Sequence, residues 1–220
     1  EAYLLTEFNL YLYEDELYEK GITYIAGIDE AGRGPLAGPV VAAAVILKKG
    51  AKLKYVDDSK KLSEKQRQKA LIEIKENALA IGIGIASVEE IDQINIYRAA
   101  REAMHSAIKQ LKIKPEFLLI DAMPMEINIP SKSIIKGDQK SISIAAASIV
   151  AKTTRDQYMI EMDKVFPLYN FKQHKGYGTK EHIALIKKHG YTPIHRKSYE
   201  PVKSMIKEDL RKKYEDHALL

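Results

Sequence analysis

The sequence predicts an α/β fold, a mixed sheet flanked by helices with a helical extension at its C-terminal end. Three observations predict it. Short apolar runs at 24–28, 40–47, 80–86, 117–120 and within 129–135 have strand length and are bounded by turn residues. Between and after them lie longer segments with helical periodicity, two opened by serine capping boxes. The first two runs are joined by a short loop, which suits an antiparallel pair, while a long helical segment separates the third run from the fourth, which suits a crossover to a parallel strand. The order of elements alone fits several α/β folds.

In chain order, residues 1–20 carry aromatic and acidic side chains (Tyr3, Phe8, Glu14, Asp15, Glu16 among them), with Leu10, Tyr13, Leu17 and Tyr18 at helical spacing. They read as a peripheral helix with little chemical information. The stretch 24–39 follows: an apolar strand, the paired carboxylates Asp29 and Glu30, then Gly32, Arg33, Gly34, Pro35, Gly38 and Pro39. The continuous apolar run 40–47 reads as a strand buried on both faces. Ser63 with Gln66 opens a helix whose face is Leu71, Ile74 and Ala78, and 80–86 alternates Ile with Gly, glycine allowing close backbone approach. Ser87 and Glu90 repeat the capping box. A long helix is expected from Asn95, with Ile96, Ala100, Ala103, Ala107 and Leu111 on one face. Residues 117–120 run directly into Asp121, and 129–135 lead to Lys136-Gly137-Asp138. A helix over 142 to about 164 opens with the small residues Ala145, Ala146, Ala147 and Ser148. Residues 171–179 read as a loop, Thr179 caps a helix that stops at Gly190, and Pro201 stands near the start of a basic final helix carrying Lys203, Lys207, Arg211, Lys212 and Lys213. The expected organisation is a peripheral helix over 1–20, one catalytic domain over 21–197 and a helix packed on it over 198–220.

A chain of 220 residues that is 45% hydrophobic can bury one sizeable core. No apolar run is long enough to span a bilayer, and the first residues lack the form of a secretory signal. The first residue is Glu1, as in a trimmed or processed chain. Without cysteine there is neither a disulfide framework nor a thiolate metal site or nucleophile, which suits the cytoplasm. The net charge of +5 suits a polyanionic partner and is weak evidence for one.

Carboxylates follow apolar runs at three places: Asp29 with Glu30, Asp121, and Asp138. If these converge at a sheet edge, they repel one another unless a cation neutralises them. Four hard oxygen ligands without Cys or a histidine pair favour Mg²⁺ or Mn²⁺ over Zn²⁺. The glycine-rich loop with Arg33 suits an anion, and the bland alternative is that the acids merely start a turn.

The stretch 24–39 closely resembles the signature of ribonuclease HII, a type 2 ribonuclease H family. The resemblance continues in Asp57-Asp58-Ser59-Lys60, Asp121, Lys136-Gly137-Asp138, 145–152, Arg155-Asp156, His174-Lys175-Gly176-Tyr177-Gly178-Thr179 and Pro193-Ile194-His195-Arg196. It implies the ribonuclease H-like fold and a monomer. It also implies Asp29, Glu30, Asp121 and Asp138 as catalytic metal ligands, holding two divalent ions about 4 Å apart across the scissile phosphate. The implied activity is hydrolysis of the RNA strand of RNA–DNA hybrids and nicking of duplex DNA 5′ to an embedded ribonucleotide, leaving 5′-phosphate and 3′-hydroxyl ends. The implied readers of the 2′-hydroxyl are the Gly32-Arg33-Gly34 loop and Tyr177, whose ring would stack on the next sugar. His174, Lys175 and His195 are expected near the substrate, and Ser59, Lys60, Ser148 and Lys152 as contacts to the nucleic-acid backbone.

For Lys60, Lys152 and the basic final helix, solvated surface charge is the competing reading, and for Tyr177 it is core packing. Asp156 is read either as a peripheral ligand or as an ion-pair partner of Arg155 or Lys152. Two other functions compete: a silent hybrid-binding protein, which should lack a carboxylate, and a small-molecule phosphatase, for which Tyr177 has no purpose. Sliding-clamp association is conceivable, although the tail 215–220 has no aromatic anchor.

Overall fold

The structure, a computed structural model, describes residues 9–218. The readings placed on Tyr3, Phe8, Leu219 and Leu220 lie outside the described residues. By contacts the chain divides into two compact units. The first comprises Glu1–Ala31, Val41–Ile85 and Ala100–Thr154, the second Gly32–Val40, Ala86–Ala99 and Arg155–Leu220.

The first unit holds a five-stranded sheet in the order β3-β2-β1-β4-β5. Strand β1 is Ile25–Ala31, β2 Val40–Leu47, β3 Ala78–Ala86, β4 Phe117–Asp121 and β5 Ser131–Ile134. β1 pairs antiparallel with β2 and parallel with β4, and β4 pairs parallel with β5. All eight residues of β2 are buried, as its unbroken apolar run requires. Helix α1 (Leu12–Glu19) precedes the sheet, and α2 (Glu64–Asn77) is opened by Ser63 and Gln66 in a complete capping box. A second capping box at Ser87 opens the short α3 (Val88–Ile94). Asn95 then takes φ +72, and α4 (Ile96–Lys109) starts afresh as the crossover to β4.

Two faces of the sheet explain its glycines. On one, Ala43, Val45 and Leu47 of β2 pack against Ala70 and Ile74 of α2 and against Ile142, Ala145, Ala146 and Ile149 of α5 (Ile142–Val165). A Cβ on Gly27 of β1 would lie 2.0 Å from the main-chain carbon of Ser143, so β1 and the first turn of α5 are in backbone contact. Likewise Gly84 of β3 faces the carbonyl oxygen of Ala103 in α4, where a Cβ would lie 1.9 Å away. Of the small residues that open α5, Ala145, Ala146 and Ala147 are buried in this packing.

In the second unit, Ala37, Met159, Tyr169 and Phe171 form the core. The expected loop 171–179 begins as one helical turn, α6 (Phe171–His174), between Asn170 and Lys175, both left-handed at φ +57 and +54. Then come α7 (Lys180–His189), capped by Thr179 and stopped at Gly190, and α8 (Val202–Ala218). Lys203 and Lys207 are exposed, while Arg211 and Lys212 pair with Glu215 and Glu208 along α8. No described helix is long and apolar enough to cross a membrane.

Candidate active site

In the first unit the chain places its carboxylates where strands end. Asp29 and Glu30 sit near the end of β1, Asp121 is the last residue of β4, and Asp138 lies in a 3-10 turn (Gly137–Gln139) before α5. Asp29 and Asp138 are buried, Glu30 and Asp121 half-buried. Each has local support. Asp29 Oδ1 accepts from the amide of Glu30 at 2.7 Å, and Asp121 Oδ1 accepts from the amide of Gly137 at 2.6 Å. The second bond ties the end of β4 to the turn that carries Asp138.

Burial pushes the Asp29 carboxyl well above the usual carboxylate range, and the charges of Glu30 and Asp121 add to it. Asp121 is also raised, by burial first and then by Asp138, against the amide of Gly137 and the charge of Lys60. The acids thus form a series of repelling neighbours: Glu30 and Asp121 act on Asp29, and Asp138 on Asp121. A hydroxyl of Ser148 bonds Asp29. An ionised carboxylate only accepts, so Ser148 donates to it and Ser59, 2.9 Å from Ser148, donates in turn. Both serines are buried, which makes them supports of Asp29. Lys60 Nζ stands 3.4 Å from Asp138 Oδ2 with its side chain 75% exposed, so it can meet an anion from solvent. Burial pulls this ammonium down, but Asp138, Asp58 and Asp29 outweigh it and its pKa is raised. Asp58 fixes the Lys60 loop by accepting from the amide of Lys60 and from Gln139. Lys152, on α5, is half-buried.

These residues fit hard divalent cations. The set is all oxygen, it holds more buried negative charge than one exposed lysine offsets, and two members are destabilised when ionised. Among the described residues, no three acidic or imidazole side chains are gathered so that they alone could hold a metal ion. An open arrangement of that kind suits ions that take one or two carboxylates each and complete their shell with water and phosphate oxygens.

Removing one charge should therefore stabilise the metal-free protein. Asp29→Asn is expected to raise the melting temperature in EDTA at pH 7.5 by several degrees, because it removes a buried charge and with it the repulsion from Glu30 and Asp121. The sign follows from the raised folded pKa. The wild-type deficit is fully present above that pKa and disappears as pH falls towards the unfolded value near 4, taking the difference between the two proteins with it. Thermal unfolding in EDTA across pH checks this; a variant that melts below wild type at pH 7.5 would show that the acids are not held in repulsion.

In the second unit the glycine loop is held by two buried arginines. Arg196 donates from Nε to Gly38 O (3.0 Å), from Nη1 to Arg33 O (2.9 Å) and from Nη2 to Gly32 O (2.5 Å) and Gly38 O (2.9 Å). Arg155 donates to the carbonyls of Pro39 (2.9 Å), Ala37 (2.8 Å) and Lys175 (2.8 Å). Its guanidinium stitches the glycine loop to residue 175. Burial, then the charge of Arg196, lowers Arg155 to about 10, still fully cationic at neutral pH. Tyr199 Oη donates to Arg33 O as well. A peptide carbonyl and the amide it shares a plane with point in opposite directions. With the carbonyls of Gly32 and Arg33 drawn inward, the amides of Arg33 and Gly34 face outward, and both residues are exposed. Gly32 is buried at φ +96, and a Cβ there would meet Arg155 at 2.2 Å.

Tyr177 is 42% exposed, with Arg155 Cζ 5.7 Å from its ring centroid, so it is not a core residue. Lys175 is half-buried and its ammonium bonds the carbonyl of Lys172. His174 and His195, expected beside a substrate, are instead buried, with their ring nitrogens bonded inside the protein. Sequence reasoning missed the supports. Arg155 and Arg196 stood only inside motifs, and His182 and Glu14 carried no local signal. Buried Glu14 of α1 accepts from Ser141 Oγ (2.5 Å) and from the Ser143 amide (3.0 Å) at the start of α5.

The comparisons agree with one another. The sequence model of the ribonuclease HII family matches residues 26–202. Ribonuclease HII of Bacillus mycoides is 57% identical over 194 residues, 88% of this chain and 76% of that protein. Ribonuclease HII of Bacillus anthracis is 58% identical over 195 residues, 89% of this chain and 76% of that one. Among solved structures, ribonuclease H2 of Pyrococcus horikoshii superposes with a TM-score of 0.73 at 25% identity, covering 86% of this chain and 99% of that one. The ribonuclease HII solved in a complex with PCNA from Archaeoglobus fulgidus gives 0.69 at 26% identity, covering 80% and 95%.

Proposed function

The chain belongs to the ribonuclease HII family, an endonuclease family that cleaves RNA in RNA–DNA hybrids with divalent metal, and on that premise we propose that it also nicks duplex DNA on the 5′ side of a single embedded ribonucleotide. The observation that carries the chemical half of this reading is the series of mutually repelling carboxylates at the ends of β1 and β4 and in the turn before α5. Asp29, Glu30, Asp121 and Asp138 would hold two divalent ions, a pair that when bound supplies an activated water and neutralises charge on the phosphate. The protein's own groups do the rest. Ser148, backed by Ser59, orients Asp29, the Gly137 amide orients Asp121, and Lys60 offers its ammonium to a phosphate oxygen. Hydrolysis by water leaves a 5′-phosphate and a 3′-hydroxyl.

Recognition of the ribonucleotide is assigned to the outward amides of Arg33 and Gly34 and to Tyr177. Supporting this, the ring of Tyr177 is exposed, while its amide donates to His174 O and its carbonyl accepts from the Thr179 amide, both at 2.9 Å. An exposed aromatic on a pinned backbone offers a flat face to a sugar and one hydroxyl to a 2′-oxygen.

The test is an end-labelled duplex DNA with one ribonucleotide, incubated in Mg²⁺, Mn²⁺ and EDTA. A metal-dependent nick 5′ to the ribonucleotide with a 3′-hydroxyl end is expected. Cleavage of RNA runs alone would remove the single-ribonucleotide assignment, and binding without cleavage in either metal would favour a silent hybrid binder. Tyr177→Ala should slow the single-ribonucleotide nick about tenfold, the scale of one lost contact, and leave the Mn²⁺-induced rise in melting temperature unchanged. An unaltered nicking rate would return Tyr177 to a surface role.

A further inference from the structure

Three imidazoles of the second unit are buried together: His174 and His182 stack with centroids 4.1 Å apart, and His195 lies 5.2 Å from His182. Phe171 and Tyr169 enclose them. Their hydrogen bonds admit one assignment of protons. The amide of Thr192 donates to His195 Nδ1 (2.9 Å), so that nitrogen is bare and the proton of His195 is on Nε2. His195 Nε2 is 3.0 Å from His182 Nε2 and donates to it, which puts the proton of His182 on Nδ1. His182 Nδ1 then donates to the carbonyl of Tyr177 at 2.8 Å. His174 accepts from the amide of Gly176 at Nδ1 (3.1 Å) and donates from Nε2 to Tyr169 O (2.6 Å). Every ring nitrogen is used, and each proton has one place.

The series of hydrogen bonds has a direction. It starts at Thr192, passes through two neutral rings and ends on the main chain of Tyr177, while His174 holds the amide of Gly176 next to it. Gly176 sits at φ +87, and a Cβ there would meet Ala37 O at 2.5 Å, so the segment is fitted closely on its inner side. We propose that His182, backed by His195 and flanked by His174, is a positioning residue for ribose selection, setting the orientation of Tyr177 through its carbonyl. The proposal rests on the reading of Tyr177 as the ribose contact. Burial supports the neutral state by pushing His182 down to about 4 and His195 to about 3. The charged groups facing the trio are Glu181, Asp163 and Lys175, besides the rings themselves. A protonated His182 would donate from both nitrogens and break the series at the Nε2 pair, and a protonated His195 would break it at the Thr192 amide.

The experiment compares rates on a one-ribonucleotide duplex and on an all-RNA hybrid for wild type, His182→Leu, His182→Gln and His182→Asn. Asparagine places a donor where Nδ1 lies; glutamine places one where Nε2 lies. The ratio of the two rates is expected to fall about tenfold in the Leu and Gln variants and to return to within about twofold of wild type in Asn, with the Mn²⁺ thermal shift unchanged in all. If the Leu variant does not fold, the Asn and Gln pair decides. A folded Leu or Gln variant with the wild-type ratio overturns the positioning role. So does nitrogen-15 NMR of the wild-type imidazoles showing a charged ring, or a His182 protonated at Nε2, at pH 7. A wild type with no single-ribonucleotide activity overturns the reading of Tyr177 and this proposal with it.

Discussion

Asp121→Asn is expected to reduce cleavage of an RNA–DNA hybrid by about 10³-fold or more, at least about 4 kcal/mol in the barrier, while hybrid binding stays within a few-fold of wild type. Asparagine keeps the size of the side chain and an oxygen to accept from the Gly137 amide, so the link between β4 and the turn of Asp138 survives. Only the charge goes. That charge is the middle of the series, acting on Asp29 and acted on by Asp138, and in the proposed site it is one of the four that would hold the ions. Binding comes mainly from contacts to the backbone of the nucleic acid, which the substitution leaves in place. Single-turnover cleavage with a filter-binding control measures both. A variant within tenfold of wild type would take Asp121 out of the metal site.

The second large effect is on stability. Gly27→Ala should cost about 3 kcal/mol or more, a drop in melting temperature of roughly 6–12 °C, because the new methyl would press on main-chain atoms of Ser143 and Ile144 that no rotamer change can move. Gly34→Ala is the control, since nothing lies within 4 Å of a Cβ there, and its melting temperature should stay within about 2 °C of wild type. If both variants melt alike, β1 and α5 are not in backbone contact.

Much of the fold was legible in the sequence. The capping boxes at Ser63 and Ser87, the apolar run of β2, the break before Ile96, and the cap and stop of α7 are all written in neighbouring residues, and the structure follows them. The differences fall where neighbours say little. β3 begins at Ala78, two residues early, because Ala78 leaves α2 already extended at ψ 135. The turn of α6 is framed by left-handed Asn170 and Lys175, for which glycine would have been the signal. At the site, the four carboxylates and the glycine loop stood out, since strand ends and turns mark themselves. Their supports did not. Arg196 reaches Gly32 from 164 positions away, and Glu14 reaches Ser141 from 127, distances over which no periodicity or spacing carries information.

The two arginines have a thermodynamic consequence. Ordering a free loop residue costs about 1–2 kcal/mol, and a flexible recognition loop loses that from affinity at each encounter. Here the loop at 32–34 and the segment at 175–177 are ordered during folding by guanidiniums that stay charged at any physiological pH. Encounter with nucleic acid then finds the amides of Arg33 and Gly34 already aimed. On the role proposed for this loop, selection between ribose and deoxyribose would be a comparison of fit against a rigid edge, so mismatched sugars should differ in how fast they leave more than in how fast they arrive.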